Sequence, residues 1–287
     1  MATLRPRVVG TVRGPVEVAE TGQGPVLLVV HGTPGGWQQA RLVGEDLAAG
    51  ARVLLVSRPG YGRTPLRSGR TPREQGALYA AVLDALGIDW AVVLGISGGG
   101  PSAYAFAAAH PERCTGLLLC CALRGHLLPP GVAGMRRLAA VPGLWSALAG
   151  TARRVDRLRG TRGAEPDPAA FTAAERELMG DSRVLAGLHD FAAHRVQSLH
   201  GRGLRNDTRQ LLAGVRTGAA PWPVGVRVPT VVLHGDADEV VPLQHGEAYA
   251  AAVPGARLEV LAGLGHAVPL FARDRLGALA RELLGSG

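Results

Sequence analysis

The chain has 287 residues, enough for one large α/β domain or for a core domain that carries an insertion. A hydrophobic fraction of 47% beside 19% charged residues excludes a disordered chain. The formal charge is +8, yet no arginine-rich run with interleaved aromatic residues occurs, so the excess charge alone does not point to nucleic acid.

The charge is unevenly spread. Between Arg124 and Arg216 there are 15 arginines and 8 acidic residues, a local balance of +7, while the rest of the chain is close to neutral. Two readings stay open: a solvated basic face, or attraction of an anionic substrate. Lysine is absent throughout. The N-terminal "MATLRPRVVG" lacks an apolar stretch of signal-peptide length, and no segment approaches ~20 continuous apolar residues, so no membrane span is expected. Cys114, Cys120 and Cys121 read as small buried hydrophobes; adjacent strand residues face opposite ways, so Cys120 and Cys121 are not expected to pair. A cytoplasmic location is the expectation.

In chain order, "VEVAE" (16–20), "VLLVV" (26–30) and "RVLLV" (52–56) read as strands, the second buried on both faces. A helix opens after Thr71, with Pro72 in its first turn and Glu74 completing a capping box, and stops at Gly87. "WAVVLG" (90–95) is a strand, 99–109 a helix, and "TGLLLCCAL" (115–123) a strand again. From about 124 to 220 the rhythm becomes helical, with loop signals at "LPPG", "GAEPDP" and "APWPVG". "PTVVLHG" (229–235), a helix at 243–252, "RLEVL" (257–261) and a helix at 268–284 close the chain. Strands alternating with helices predict an α/β fold with a doubly wound, mostly parallel sheet. Residues 1–123 and 221–287 form the expected core, and 124–220 an inserted helical cap.

Ser97 lies in "GISGG", a G-x-S-x-G between a strand and a helix. The abrupt turn lifts the hydroxyl above the sheet edge, and side chains at Gly95 or Gly99 would collide with it. The Gly98 amide sits at a helix N-terminus, where a negative oxygen is favoured. No phosphate-loop pattern occurs, since that pattern needs a lysine.

A serine hydroxyl needs a base. His266 in "GLGH" follows the last strand and precedes the final helix, placed to reach over the sheet's carboxyl edge. His31 and His234 read as loop-fixing residues, and the other six histidines carry no motif. The base needs a carboxylate to hold its tautomer. "GDADEVVP" offers Asp238 for that task, with Asp236 bracing the turn and Glu239 facing solvent. The turn "HGTPGGW" after strand 26–30 supplies a second oxyanion donor, the amide of Thr33, beside that of Gly98. The Thr33 hydroxyl either polarises a substrate or serves the turn.

The motifs HGTPGG, RPGYG, GISGG, GDADEVVP and GLGH, in this order, resemble the α/β-hydrolase superfamily across nearly the whole chain. The resemblance implies an eight-stranded sheet with one antiparallel strand, a helical lid after the sixth strand, and the triad Ser97, Asp238 and His266. Serine at the elbow argues against haloalkane dehalogenases and epoxide hydrolases of this fold, which carry aspartate there. The missing lysine argues against plant-type hydroxynitrile lyases, and the basic lid against proline iminopeptidases. Ser57 stands where many relatives carry an aspartate that braces a loop.

The expected activity is hydrolysis of a small-molecule ester, thioester or lactone through an acyl-enzyme on Ser97. Non-hydrolytic acyl transfer or cyclisation, and slow-turnover ligand binding, would use the same triad and stay open. No cofactor and no metal site is expected, since histidine and cysteine show no ligand spacing. Trp145, Phe171, Phe191 and Trp222 are candidate apolar substrate contacts, although any one of them is more often lid core than substrate wall. The arginine excess permits an anionic acyl or leaving group. A monomer or homodimer without a nucleic-acid partner is expected.

Overall fold

The computed structural model describes residues 4–44, 50–124, 167–198, 202–217 and 225–285. Eight strands form one sheet: β1 (Arg7–Thr11), β2 (Gly14–Thr21), β3 (Val26–Val30), β4 (Arg52–Val56), β5 (Ala91–Ile96), β6 (Cys114–Cys120), β7 (Thr230–Gly235) and β8 (Arg257–Leu261). Their order is β1-β2-β4-β3-β5-β6-β7-β8. β2 is antiparallel to both its neighbours, and all other pairs are parallel. The loops after β3, β4, β5, β7 and β8 therefore gather on one edge.

Helices cover both faces. They are α1 (Trp37–Gly44), α2 (Pro72–Ala85), α3 (Gly100–Ala109), α4 (Ala173–Leu178), α5 (Ser182–Ser198), α6 (Arg202–Thr217), α7 (Gln244–Ala252), α8 (Val268–Phe271) and α9 (Arg273–Gly285). The side-chain period of two sends Leu27 and Val29 to one face, against Val184, Leu188 and Leu276. Leu28 and Val30 go to the other, against Leu78, Phe106 and Tyr249. Each face thus has its own apolar layer. The expected capping box is present: Glu74 N donates to Thr71 Oγ1 at 3.2 Å and Thr71 N to Glu74 Oε2 at 2.9 Å.

The structure differs from the sequence reading in four places. β1 has no apolar run to reveal it, since four of its five residues lie at least partly exposed on the sheet edge. α1 is also an addition. The strand expected at 115–123 ends at Cys120, because Cys121 adopts a left-handed φ of 45°. Cys121 is thus off the strand, and all three cysteines are buried free thiols. The last helix is two pieces that meet at Ala272. Between β6 and β7 the described residues form α4, α5 and α6, while 125–166, 199–201 and 218–224 lie outside the description.

Candidate active site

β5 delivers Ser97 directly from its end at Ile96. Ser97 has φ of 48°, a conformation that costs a non-glycine residue on the order of 1–3 kcal/mol and clusters at functional sites. The surroundings leave no room for side chains. A Cβ at Gly95 would lie 2.7 Å from Ala103 Cβ, and one at Gly99 2.5 Å from the carbonyl oxygens of Val30 and His31. At Gly98 a Cβ would overlap Thr33 Oγ1, so the elbow and the loop after β3 are in direct contact.

Three of the sequence's candidates meet in one chain. Ser97 Oγ lies 3.0 Å from His266 Nε2, and His266 Nδ1 lies 2.7 Å from Asp238 Oδ2. Asp238 Oδ1 accepts hydrogen bonds from Val240 N at 2.9 Å and Val241 N at 2.8 Å, which fix the carboxylate plane. Burial would raise its pKa. The imidazoles of His234 and His266 and the Val241 amide outweigh burial and hold the carboxyl well below the usual carboxylate range. His234 Nε2 stands 3.5 Å from Asp238 and donates instead to Val241 O at 2.8 Å, so its role is chiefly to shape the loop. Asp236 Oδ1 accepts from Gly263 N at 2.7 Å and joins the loops after β7 and β8. Glu239 is exposed.

The loop after β3 is fixed by His31. Arg58 N donates to His31 Nε2 at 3.0 Å, so the proton sits on Nδ1, which donates to Gly32 O at 2.7 Å. Burial, then the Arg58 charge, pushes this imidazole well below its ordinary pKa and keeps it neutral. Ser97 and Gly98 line a cavity of about 210 Å³, with apolar walls from Leu123, Leu211, Val240 and Val241. Arg58 and Asp207 also line it, paired at 2.8 Å.

The profile of the alpha/beta hydrolase fold matches residues 25–272. The chain belongs to the α/β hydrolase fold family. A solved α/β hydrolase fold protein from Nakamurella multipartita is 31% identical, with a TM-score of 0.76, over 99% of this chain and 100% of that one. The 2-hydroxy-6-oxo-6-phenylhexa-2,4-dienoate hydrolase of Burkholderia cepacia is 27% identical over 95% of this chain and 92% of its own. The uncharacterized hydrolase YcgS of Bacillus subtilis is 35% identical over 117 residues, and that match spans only 41% of either chain. This protein is an α/β hydrolase enzyme, and no helix among its described residues is long and apolar enough to cross a membrane.

Two candidate contacts of this α/β hydrolase take other places. Phe171 packs edge-on to Phe271 with ring centroids 5.6 Å apart, and Phe191 joins the apolar layer of α5 and α8. Neither borders the cavity beside Ser97, because core packing consumes their rings. Trp145 and Trp222 lie outside the described residues.

Among the described residues one group offers three metal-type donors: Cys121, Asp238 and His266, with ligand atoms within 4.8 Å of one another. A metal there would compete with the Asp238–His266 hydrogen bond and need the thiolate of Cys121, whose pKa burial and then Cys120 push well above the ordinary value.

Sequence reasoning misses Glu175, Asp207 and Glu17. Glu175 Oε1 accepts from Gly265 N, beside His266, at 3.0 Å. Asp207 reaches Thr33 Oγ1 at 2.6 Å. Glu17 Oε2 accepts from Ser57 Oγ at 2.9 Å, and Ser57 Oγ in turn accepts from Trp37 N at 3.1 Å. Glu17 therefore supplies a carboxylate to the site around Ser57. The capping box Thr172–Glu175 is the one local signal that could have marked Glu175.

Proposed function

We propose that this hydrolase cleaves an ester, thioester or lactone of a small molecule by acyl transfer through Ser97. The observation that carries the reading is the continuous chain Ser97 Oγ–His266 Nε2–His266 Nδ1–Asp238 Oδ2, with links of 3.0 and 2.7 Å, opening on an apolar cavity. Asp238 accepts a hydrogen bond from Nδ1–H and stays ionised, which fixes the tautomer that leaves the Nε2 lone pair free to take the proton of Ser97. The alkoxide attacks the carbonyl carbon, and the amides of Thr33 and Gly98 receive the developing oxyanion. His266 then gives its Nε2 proton to the leaving alcohol, thiol or ring oxygen. Water, deprotonated by the same nitrogen, hydrolyses the acyl-enzyme.

The cavity supports an uncharged, apolar acyl group. Arg58 is the cation on its described wall, and Asp207 already neutralises it. The Burkholderia relative is named for a dienoate, whose carboxylate would need a cation that this wall does not offer unpaired. The insertion between β6 and β7 acts as a cap, a reading supported by α6, which lends Leu211 and Asp207 to the cavity.

The test is labelling by a fluorophosphonate probe beside hydrolysis of short and medium p-nitrophenyl esters. Wild type is expected to label and turn over, and S97A and H266A to do neither. A folded wild-type protein that neither labels nor hydrolyses any ester would sink the reading.

A further inference from the structure

α6 touches the core through one face, at positions i, i+3 and i+4. Gly203 N donates to Gly60 O at 3.0 Å, and a Cβ on Gly203 would overlap the Tyr61 ring. Asn206 Nδ2 donates to Arg70 O at 2.6 Å. Asp207, the next residue, spreads its carboxylate over three donors: Oδ1 accepts from Arg58 Nη2 at 2.8 Å, and Oδ2 from Tyr61 Oη at 2.8 Å and Thr33 Oγ1 at 2.6 Å. The Thr33 hydroxyl is held from two sides, since it also accepts from Arg58 Nη1 at 3.0 Å. Its rotor has no freedom left. Thr33 Oγ1 packs directly over Gly98, so the rotamer of Thr33 determines how the loop after β3 lies on the nucleophile elbow.

We propose that Asp207 is a positioning residue: by clamping the Thr33 hydroxyl to α6, it holds the Thr33 amide aimed into the oxyanion hole. The proposal rests on the acyl-transfer reading and adds to it a part of the cap that acts on the chemical step. Asp207 acts through Thr33. A donor used in the transition state is effective only when its orientation is settled beforehand, because reorienting it during the reaction returns the cost to the barrier. A β-branched residue with an unclamped hydroxyl has other rotamers and can turn that hydroxyl toward its own backbone or into the hole. The ion pair with Arg58, whose guanidinium is buried and whose Asp207 partner is partly buried, makes the docked arrangement directional as well as adhesive.

The test compares D207N, T33V, T33S and the double variant D207N/T33V, measuring kcat, KM and affinity for an aryl trifluoromethyl ketone. That ketone forms a tetrahedral adduct on the serine and reports on the oxyanion hole. T33V is nearly isosteric and leaves the Arg58–Asp207 pair in place, so it keeps the proposal testable if D207N folds poorly. D207N and T33V are each expected to lower kcat on the order of 10- to 10²-fold with KM little changed. Ketone affinity should fall in parallel, T33S should recover most of the T33V loss, and the double variant should lose little beyond either single one. Losses that multiply in the double variant, or a rise in KM with kcat and ketone affinity intact, would overturn it, because Asp207 would then act independently of Thr33. The acyl-transfer reading fails separately, by S97A retaining wild-type turnover.

Discussion

Glu175 accepts a hydrogen bond from the backbone amide of Gly265, the residue before His266, at 3.0 Å. Its other oxygen accepts from Thr172 N at 3.0 Å, and Thr172 Oγ1 donates to Gly263 O at 2.7 Å. A short helix between β6 and β7 thus braces the loop that presents the base. In E175A a buried amide and a helix cap lose their partner together, each worth about 1–2 kcal/mol. The expected outcome is a lower Tm and a lower kcat, with KM nearly constant. An unchanged kcat in a folded E175A would show that the loop holds its own shape.

Asp238 is buried and held ionised by its neighbours. Its folded pKa is depressed, so it contributes stability that is present above the unfolded pKa of about 4 and is lost as pH falls through the lower folded value. D238N should therefore be less stable than wild type at pH 7, and the gap should narrow as the pH is taken below 4. Thermal melts of both proteins from pH 7 to pH 3 check the sign. The same variant should lose kcat on the order of 10⁴-fold, because amide in place of carboxylate favours the wrong imidazole tautomer.

Gly98 faces Thr33 with no space for a methyl group. G98A must push the Thr33 loop away from the elbow and separate the two amides. Ester turnover is expected to fall by about 10²-fold, while the Ser97–His266 contact stays within reach. Fluorophosphonate labelling slowed far less than turnover is no part of this expectation, since both reactions develop charge on an oxygen in the same hole; comparing the two rates in G98A decides the matter.

Ser57 joins the Trp37 amide to the Glu17 carboxylate, itself paired with Arg63 Nε at 2.7 Å. Installing an aspartate at this position, S57D, would set two carboxylates against each other in a buried place. Loss of several degrees in Tm is expected, with partial recovery in S57D/E17Q. Equal melting of S57D and wild type would mean that the site can relax to accept the second charge.

The parts of the fold legible in the sequence are those whose signal is local. β3 to β8 show as apolar runs, and Ser97 is marked by glycines that its bend requires. Asp238 and His266 lie at strand ends in short, motif-bearing loops, so topology alone brings them to one edge. β1 hides because an edge strand needs few apolar residues. Asp207 and Glu175 hide for a different reason: a carboxylate on an amphipathic helix reads as solvated, and only tertiary packing turns it inward onto Thr33 or Gly265. Phe171 and Phe191 are ambiguous for the converse reason, since an aromatic residue in a helical insertion serves packing as readily as a ligand, and here both pack against the apolar layer.

The two loops that carry the chemistry are tied to helices outside the sheet, one through Asp207 and the other through Glu175. Loss of activity on heating should therefore precede loss of the fold. Local opening of α4 or α6 needs far less free energy than melting the eight strands, and either event releases a catalytic loop while the nucleophile stays on its bend. Warmed gently, this hydrolase should pass through a state that is still folded and already silent, both toward esters and toward a fluorophosphonate at Ser97.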